Sequence, residues 1–241
     1  TLEERLELMQ RCGARPFLLF PESRYRPIRM TKDIPQHWAV RGADELDLFK
    51  ETALRNEYLV FQVGVYAHRG LLPNVTATCS ALLGSRGAQI PSTAVTCFNL
   101  EGVNQQGQRF AKAVHVAAKE VQALWFGVDI PRNARPGRYE GTVSIAAQDV
   151  PPQVVRLQLT VGKRVLEDRG DGDHARLSRL RWLNSSHAVD DQVCAPFTPV
   201  KVNGRSVDIL GRTLELDETG LPARMTSFID IRTGWVRSAS T

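Results

Sequence analysis

The sequence is poor in cysteine and has no long apolar run, and each scarcity excludes a class of protein. Four of the 241 residues are cysteine, and no two of them have the C-x-x-C spacing of zinc ribbons and thioredoxin-like sites. The apolar runs are all much shorter than the ~18 residues that a membrane-spanning helix needs. We therefore expect the chain to use no metal and no cofactor and to have no membrane span.

Charge of one sign is not concentrated either. The net charge is +5 at pH 7, but basic and acidic residues are mixed along the chain, and no block of like charges occurs. A mild and scattered basic excess is typical of a solvated surface, so we expect no nucleic-acid partner. With 42% apolar and 24% charged residues, the composition is that of an ordinary folded protein.

The N-terminal residues predict one short helix followed by an extended arm. Residues 1–13 carry a cap at Thr1 and a stop at Gly13. The predicted apolar face of this helix consists of Leu2, Leu6 and Met9. Residues 17–38 contain three prolines and are predicted to pack on a neighbouring sheet as an extended arm. The arm also carries three arginines, which either bind acidic sugars or, as the favoured interpretation, are ordinary surface or salt-bridged residues: Arg24, Arg26 and Arg29.

The middle of the chain predicts an antiparallel β-sandwich. Residues 124–130 alternate apolar and more polar side chains, and Pro136-Gly137 is a typical turn before the next strand. Residues 57–67 place a wholly apolar face opposite a mixed one, as a central strand of two stacked sheets requires. Further predicted strands are Val75–Ser80, Ala94–Phe98, Val114–Val116, Tyr139–Ala146 and Gln153–Val161. Short strands separated by glycine, proline and asparagine turns favour an immunoglobulin-like or jelly-roll sandwich.

A polar stretch then leads to a second strand-rich region. Its predicted strands are Val200–Val202, Val207–Leu210, Thr213–Leu216 and Arg224–Ile229. Asn203-Gly204 is predicted as a two-residue hairpin turn. The chain is thus predicted to be all-β, with an N-terminal helix and arm at 1–50, a β-sandwich at 51–162, a linker at 163–180 and, at 181–241, the start of a second, supersandwich-like β-rich domain that is expected to be incomplete.

Two kinds of modification site are predicted. Asn74 and Asn184 each begin an N-x-S/T sequon at the edge of a predicted strand, where a glycan faces solvent. Cys79 and Cys97 lie on two predicted strands, where they either form a disulfide or remain as small buried apolar residues. Cys12 and Cys194 have no predicted partner.

No catalytic residue is identified. A glycosidase needs two carboxylates on opposite sides of one sugar. Asp190-Asp191 is the only adjacent acidic pair in the second region, and neighbours along a strand point to opposite faces. Sugar-stacking faces are available in principle from Trp38, Trp125, Trp182 and Trp235. Of these, Trp125 and Trp182 are flanked by aliphatic residues and are predicted to be core.

Several segments carry a family resemblance. V-x-I-P at Val128–Pro131 and A-x-P-G-x-Y-x-G-T-V at Ala134–Val143 resemble the β-sandwich domain that precedes the catalytic barrel in family 123 glycoside hydrolases. Phe17–Met30, Glu57–Arg69 and Arg176–Ser186 are similar, in the same order, to segments of an uncharacterised relative family. The resemblance implies a non-catalytic piece of a larger carbohydrate-active protein, whose catalytic Asp-Glu pair lies in the barrel.

The expected function follows from this resemblance. We expect the chain to be the non-catalytic β-sandwich portion of a secreted glycoside-hydrolase-like protein that supports a catalytic domain or contacts glycan. The alternative is an extracellular structural or assembly glycoprotein module without enzymatic activity. In both cases the candidate partners are a glycan and the remainder of a larger polypeptide or assembly.

Overall fold

A computed structural model describes residues 2–32, 34–42, 45–186, 193 and 197–228. The chain divides into two compact units, residues 1–186 and residues 187–241. Among the described residues, no helix combines the length and the apolar character needed to cross a bilayer.

The regular secondary structure of the first unit consists mainly of strands. Its helices are α1 (Leu2–Cys12) and the single turn α2 (Gln36–Ala39). Its strands are β1 (Leu18–Ser23), β2 (Leu48–Arg55), β3 (Tyr58–Tyr66), β4 (Thr76–Cys79), β5 (Leu82–Gly84), β6 (Gln89–Ile90), β7 (Val95–Cys97), β8 (Glu101–Val103), β9 (Arg109–Ala111), β10 (Val121–Asp129), β11 (Gly137–Ala147) and β12 (Val150–Val165). The 3-10 helices are Ser85–Gly87, Ser92–Ala94, Glu167–Gly170 and Arg179–Trp182.

Two sheets stack to form the predicted sandwich. The first has the order β1-β3-β10-β7, and the second has the order β2-β12-β11-β5-β6 with β4 also paired to β11. All of these pairs are antiparallel except β2 with β12, which is parallel. Their inner faces form one core, in which the rings of Phe49, Phe61 and Phe126 are stacked in sequence. The all-β prediction is confirmed.

Strand β3 explains how the N-terminal arm attaches. Its predicted apolar face lies in the sandwich core, as expected: Leu59, Phe61, Val63, Val65 and Ala67. Its mixed face is covered as well, because α1, α2 and the arm form a second apolar cluster against it that includes Tyr66 and Trp38. The arm is itself a strand at its start, since β1 pairs with β3 from Leu18 to Ser23.

The structure corrects the predicted face of the N-terminal helix at Leu6, whereas Met9 packs against the second apolar cluster as predicted. Leu8 and Cys12, one turn apart, are buried in the second apolar cluster, whereas Leu6 is 54% exposed. Because α1 packs on the arm, the buried side of the helix is set by Leu18, Phe20 and Trp38 and not by its own most regular apolar spacing.

One further detail differs from the predictions. Val114–Val116 is not a strand; it contributes one isolated bridge, between Val116 and Leu72. Residues 163–180 make specific contacts with the sandwich: Leu166 accepts a hydrogen bond from Asn56, and Arg176 pairs with Glu57. The predicted domain bounds remain a prediction.

The second unit is an antiparallel meander. Its strands are β13 (Lys201–Asn203), β14 (Ser206–Ile209), β15 (Arg212–Leu216) and β16 (Pro222–Ser227). Asn203 is opposite Ser206, so the first hairpin loop is Gly204-Arg205, one residue later than predicted. Gly204 has φ 56°, the positive value that the first loop position of a type II′ turn requires. One cross-strand row is wholly apolar, and its members are exposed or half-buried: Val202, Val207, Leu214 and Met225.

Candidate functional site

Only two described acidic residues are buried, Glu22 and Glu57. A buried carboxylate needs partners, because its removal from water is costly without hydrogen bonds or a counter-charge. The partners of these two acids show which regions of the fold are built for polar contact.

Glu22 is held by three donors from the segment around α2. Its Oε1 accepts hydrogen bonds from Nε1 of Trp38 at 2.7 Å and Nη2 of Arg41 at 2.5 Å, and it lies 3.0 Å from Nε2 of His37. Arg41 also donates to the carbonyl of Pro21 at 3.0 Å. This network joins β1 to α2 and the residues that follow it.

Two cavities share Glu22 in their lining, and we call them together the Glu22 cleft. One has a volume of about 500 Å³ and the other about 480 Å³, and both are lined by Glu22 and Arg26. The first is also lined by Tyr25, Arg41, Glu45 and Lys50. The second is also lined by Ile28, Arg29, Ile34, His37 and Trp38.

Tyr25 and Arg26 form the rim of the cleft, and Gln62 on β3 fixes the backbone that carries them. This fully buried side chain on β3 accepts a hydrogen bond from the backbone N–H of Ile28 at 2.9 Å. Its Nε2 donates to the carbonyls of Ser23 and Arg26, at 3.1 and 3.2 Å. Because these bonds fix the backbone on both sides of Tyr25 and Arg26, the two rim side chains project from a rigid support.

The rim combines an exposed ring with cationic donors. Tyr25 is 65% exposed, its hydroxyl donates to the carbonyl of Ala175 at 2.9 Å, and the Arg24 guanidinium lies 5.2 Å from its ring centroid. Arg26 is exposed beside it. A ring next to guanidinium donors offers an apolar face and hydrogen bonds together, as polyhydroxylated ligands require.

Glu57, in contrast, has a structural role between distant segments. Its Oε2 accepts hydrogen bonds from the backbone N–H of Leu54 at 2.7 Å and from Nη1 of Arg176 at 2.6 Å. Arg24 pairs with its Oε1 at 3.7 Å. Arg24 is therefore a salt-bridged residue, as the favoured interpretation of the arm arginines predicts. Arg26 and Arg29, in contrast, line the Glu22 cleft.

The tryptophans differ in their availability to a ligand. Trp38 is only 1% exposed, so it supports the cleft without offering an open face. Trp125 is half-buried. The prediction that Trp182 is core is wrong: it is 44% exposed, and the Arg181 guanidinium lies 4.1 Å from its ring centroid. Trp235 and the pair Asp190-Asp191 lie outside the described residues.

The two sequons have different surroundings. Asn74 is exposed with φ 47°, and its Nδ2 donates to Oε1 of Gln148 at 2.7 Å. Asn184 is half-buried, and its Oδ1 accepts a hydrogen bond from the backbone N–H of Val103 at 3.2 Å. Glycosylation at Asn74 and Asn184 remains a prediction.

The described cysteines are free thiols. Cys12 is in the second apolar cluster, whereas Cys79 and Cys97 line one cavity of about 560 Å³ at the side of the sandwich. Burial raises the pKa of Cys79 to about 11 and that of Cys97 to about 12. The disulfide between Cys79 and Cys97 is thus not formed in this structure and remains a prediction; Cys194 lies outside the described residues.

Residues 96–147 match the family model of the glycoside hydrolase 123 N-terminal domain. This stretch is a family 123-like N-terminal region. It extends from β7 to the end of β11 and includes both family motifs, Val128–Pro131 and Ala134–Val143. The predicted resemblance to family 123 is confirmed for this stretch, and the resemblance of the other segments remains a prediction. No curated protein matches the sequence significantly.

The solved structures that partly match this chain come from several kinds of protein. A family 123 glycoside hydrolase from Clostridium perfringens is 20% identical with a TM-score of 0.43, and the match covers 50% of this chain and 23% of that enzyme. PapD-like domain 7 of human CEP192 is 14% identical with a TM-score of 0.31, covering 50% and 83%. Self-complemented MyfA, the major subunit of Myf fimbriae from Yersinia enterocolitica, in complex with galactose, is 7% identical with a TM-score of 0.33, covering 59% and 98%. At these sequence identities and TM-scores, the structural similarity says nothing about the function of this chain.

Proposed function

We propose that this chain is a non-catalytic β-sandwich region of a secreted glycoside-hydrolase-type protein, and that it contacts glycan through the Glu22 cleft. The family 123-like stretch at residues 96–147 supports the association with glycoside hydrolases. The Glu22 cleft is the observation that carries the glycan contact, because it places exposed donors and a ring beside two cavities of about 500 and 480 Å³.

The partners of the buried acids support a non-catalytic role. A glycosidase acid presents its proton to the leaving group, and a second carboxylate faces the opposite side of the sugar. Oε1 of Glu22 is already engaged by Trp38, Arg41 and His37. Glu57 is engaged by Arg176 and Arg24. Both acids therefore act as acceptors that hold the fold together.

In the proposed complex, each rim residue has a defined task. The exposed Tyr25 ring packs on the apolar face of a sugar, and the Arg26 guanidinium donates to sugar hydroxyl oxygens. Lys50, which lines the larger cavity, adds a second cationic donor. Buried Gln62 holds the backbone on both sides of Tyr25 and Arg26, and Glu22 joins β1 to the α2 segment in the wall of both cavities.

Secretion and glycosylation belong to the same proposal. Asn74 lies on the surface at a turn. Asn184 is held through Oδ1, whereas a glycan is attached at Nδ2. At Asn74 the attachment atom Nδ2 donates to Oε1 of Gln148, and a glycan there leaves one N–H for that bond. We propose that both positions are glycosylated in a secretory pathway.

A second candidate function is extracellular assembly without enzymatic activity. The observation that favours it is the apolar row on the second unit, where Val202 is 69% and Met225 is 60% exposed. An uncovered apolar sheet face is typical of an interaction surface.

The test is binding of the whole chain to an immobilised array of neutral and acidic oligosaccharides, with hydrolysis of the same oligosaccharides followed in parallel. We expect binding without hydrolysis, and we expect Tyr25→Ala and Arg26→Ala to weaken it. Phe110→Ala is the matched control, because Phe110 is 43% exposed and carries a cation, Lys112, 5.4 Å from its ring centroid, but lies outside the cleft. Hydrolysis by the chain, or equal loss of binding in Phe110→Ala, contradicts the proposal.

A further inference from the structure

We propose that Cys79 and Cys97 form a disulfide that joins the two sheets across one side of the sandwich. The two residues belong to different sheets: Cys79 ends β4, which pairs with β11, and Cys97 ends β7, which pairs with β10. The inference rests on the proposed function only for its compartment, since secretion supplies an oxidising environment.

The register places both thiols on the inner faces of the sheets. Cys79 is directly opposite Val143, and Cys97 is directly opposite Phe126. Directly opposed residues of antiparallel strands have their side chains on the same face of the sheet. Val143 and Phe126 are both fully buried in the sandwich core. The two sulfurs therefore point toward the same interior from opposite sheets.

The two cysteines also share a cavity. The space of about 560 Å³ between the strands is lined by Cys79 and Cys97 together with residues of both strands, Thr76 and Val95 among them. Within the described residues, β4 pairs only with β11 and β7 only with β10. Thus no backbone pairing connects β4 to β7 on this side of the sandwich. A disulfide between Cys79 and Cys97 would connect the two strands covalently.

The chemistry is thiol–disulfide exchange with a small-molecule or enzyme disulfide as the oxidant. One cysteine, as thiolate, attacks the oxidant's disulfide and releases one thiol; the other cysteine then attacks the mixed disulfide and releases the second thiol. The cysteines lose two electrons and two protons, and the oxidant is reduced to two thiols. Because burial raises the pKa of both cysteines, few thiolates exist in the folded chain at neutral pH. We therefore expect the bond to form faster during folding than afterwards.

The other cysteines offer a control. Cys12 is buried on α1 in the second apolar cluster, against a different face of the first sheet. A Cys12→Ser variant removes a buried thiol without affecting the proposed bond. A Cys194→Ser variant excludes exchange with that residue.

The experiment refolds the unglycosylated full chain in a buffer of reduced and oxidised glutathione, alkylates the free thiols and digests without reduction. Trypsin cleaves after Arg69, Arg86 and Arg109, so the two cysteines fall in separate peptides, Gly70–Arg86 and Gly87–Arg109. We expect these peptides to be linked, with a mass two hydrogens below their sum. Alkylation of both cysteines, or their linkage to glutathione, Cys12 or Cys194, overturns the proposal.

Thermal unfolding supplies a second readout. Oxidation should raise the Tm by roughly 5 to 10 °C, because the bond closes a loop of moderate length in the unfolded chain. Cys79→Ser and Cys97→Ser should each abolish this rise, and Cys12→Ser should keep it. Neither readout uses a glycan, so a failure here is distinct from a failure of the glycan-binding proposal.

Discussion

The indole of Trp38 lies directly on Gly64 of β3. A Cβ atom at Gly64 would be 2.5 Å from Cη2 of the indole, closer than packed atoms allow. Phe20, which is directly opposite Gly64 on β1, stacks on the same indole with ring centroids 4.4 Å apart. The same indole donates to Glu22 at 2.7 Å. The absence of a side chain at Gly64 therefore sets the position of the Glu22 cleft.

We predict that Gly64→Ala destabilises the first unit and weakens glycan binding. The added methyl group displaces Trp38, and overpacking of this kind costs about 1–3 kcal/mol in the free energy of unfolding. Urea unfolding measures this loss. Gly70→Ala is the matched control, since a Cβ there has no atom within 4 Å. Equal stability of the two variants contradicts the packing account.

Replacement of Glu22 tests the buried network. Glu22→Ala leaves the Trp38 N–H and the Arg41 guanidinium without their acceptor, so we expect a loss of about 2–4 kcal/mol in the free energy of unfolding. Denaturant midpoints provide the measurement. Glu140→Ala is the comparison, because Glu140 pairs with Arg138 on the surface and its removal should have no measurable effect. A Glu22→Ala protein as stable as the Glu140→Ala protein would show that the network is dispensable.

The burial of His68 predicts that the stability of the first unit depends on pH. It is 5% exposed, both ring nitrogens lack a hydrogen-bond partner among the described residues, and burial, Arg69 and Lys119 lower its pKa. The unfolded chain then binds a proton more readily than the folded one, so stability is lost as the pH falls below about 6.5.

Urea unfolding at pH 8 and pH 5.5 measures the contribution of this histidine. We expect His68→Gln to reduce the loss of stability between the two pH values. His174→Gln, at an exposed histidine, is the comparison variant. An identical pH dependence in wild type and His68→Gln contradicts the assignment.

The sequons predict a mass change that depends on the route of synthesis. Chain passed through a eukaryotic secretory pathway should lose mass on treatment with an amidase that removes N-glycans. Asn74→Gln and Asn184→Gln should each remove one part of that change, which intact-mass analysis resolves. A secreted chain whose mass shows no glycan would contradict the prediction that Asn74 and Asn184 are glycosylated.

Much of the sandwich was predictable because its signals are local. The alternation along β3 and β10 lies within short stretches of sequence, and the structure confirms it. The turn before β11 is at Arg132 and Asn133, earlier than the predicted Pro136-Gly137, and Gly137 is already the first residue of that strand. The Glu22 cleft was not predicted, because it brings together β1, α2 and β3 from separate parts of the chain. The signals that pointed to it were Gln62 and Gly64, a polar and a small residue on an otherwise bulky strand.

The errors have a common physical cause. Periodicity identifies an apolar face but does not say which neighbour covers it, so Leu6 was assigned to the buried side of α1 in place of Leu8. Trp182 was assigned to the core from its aliphatic neighbours, but a single 3-10 turn leaves it exposed beneath Arg181. Both outcomes depend on tertiary contacts that a local pattern does not contain.

The central claim is that the Glu22 cleft binds glycan, and calorimetric titration of the whole chain with the best oligosaccharide from the array tests it most directly. We predict that Tyr25→Ala weakens binding on the order of tenfold, the equivalent of about 1.4 kcal/mol for a lost ring contact, while Phe110→Ala binds like the wild type. Wild-type affinity in Tyr25→Ala and Arg26→Ala alike would contradict the account.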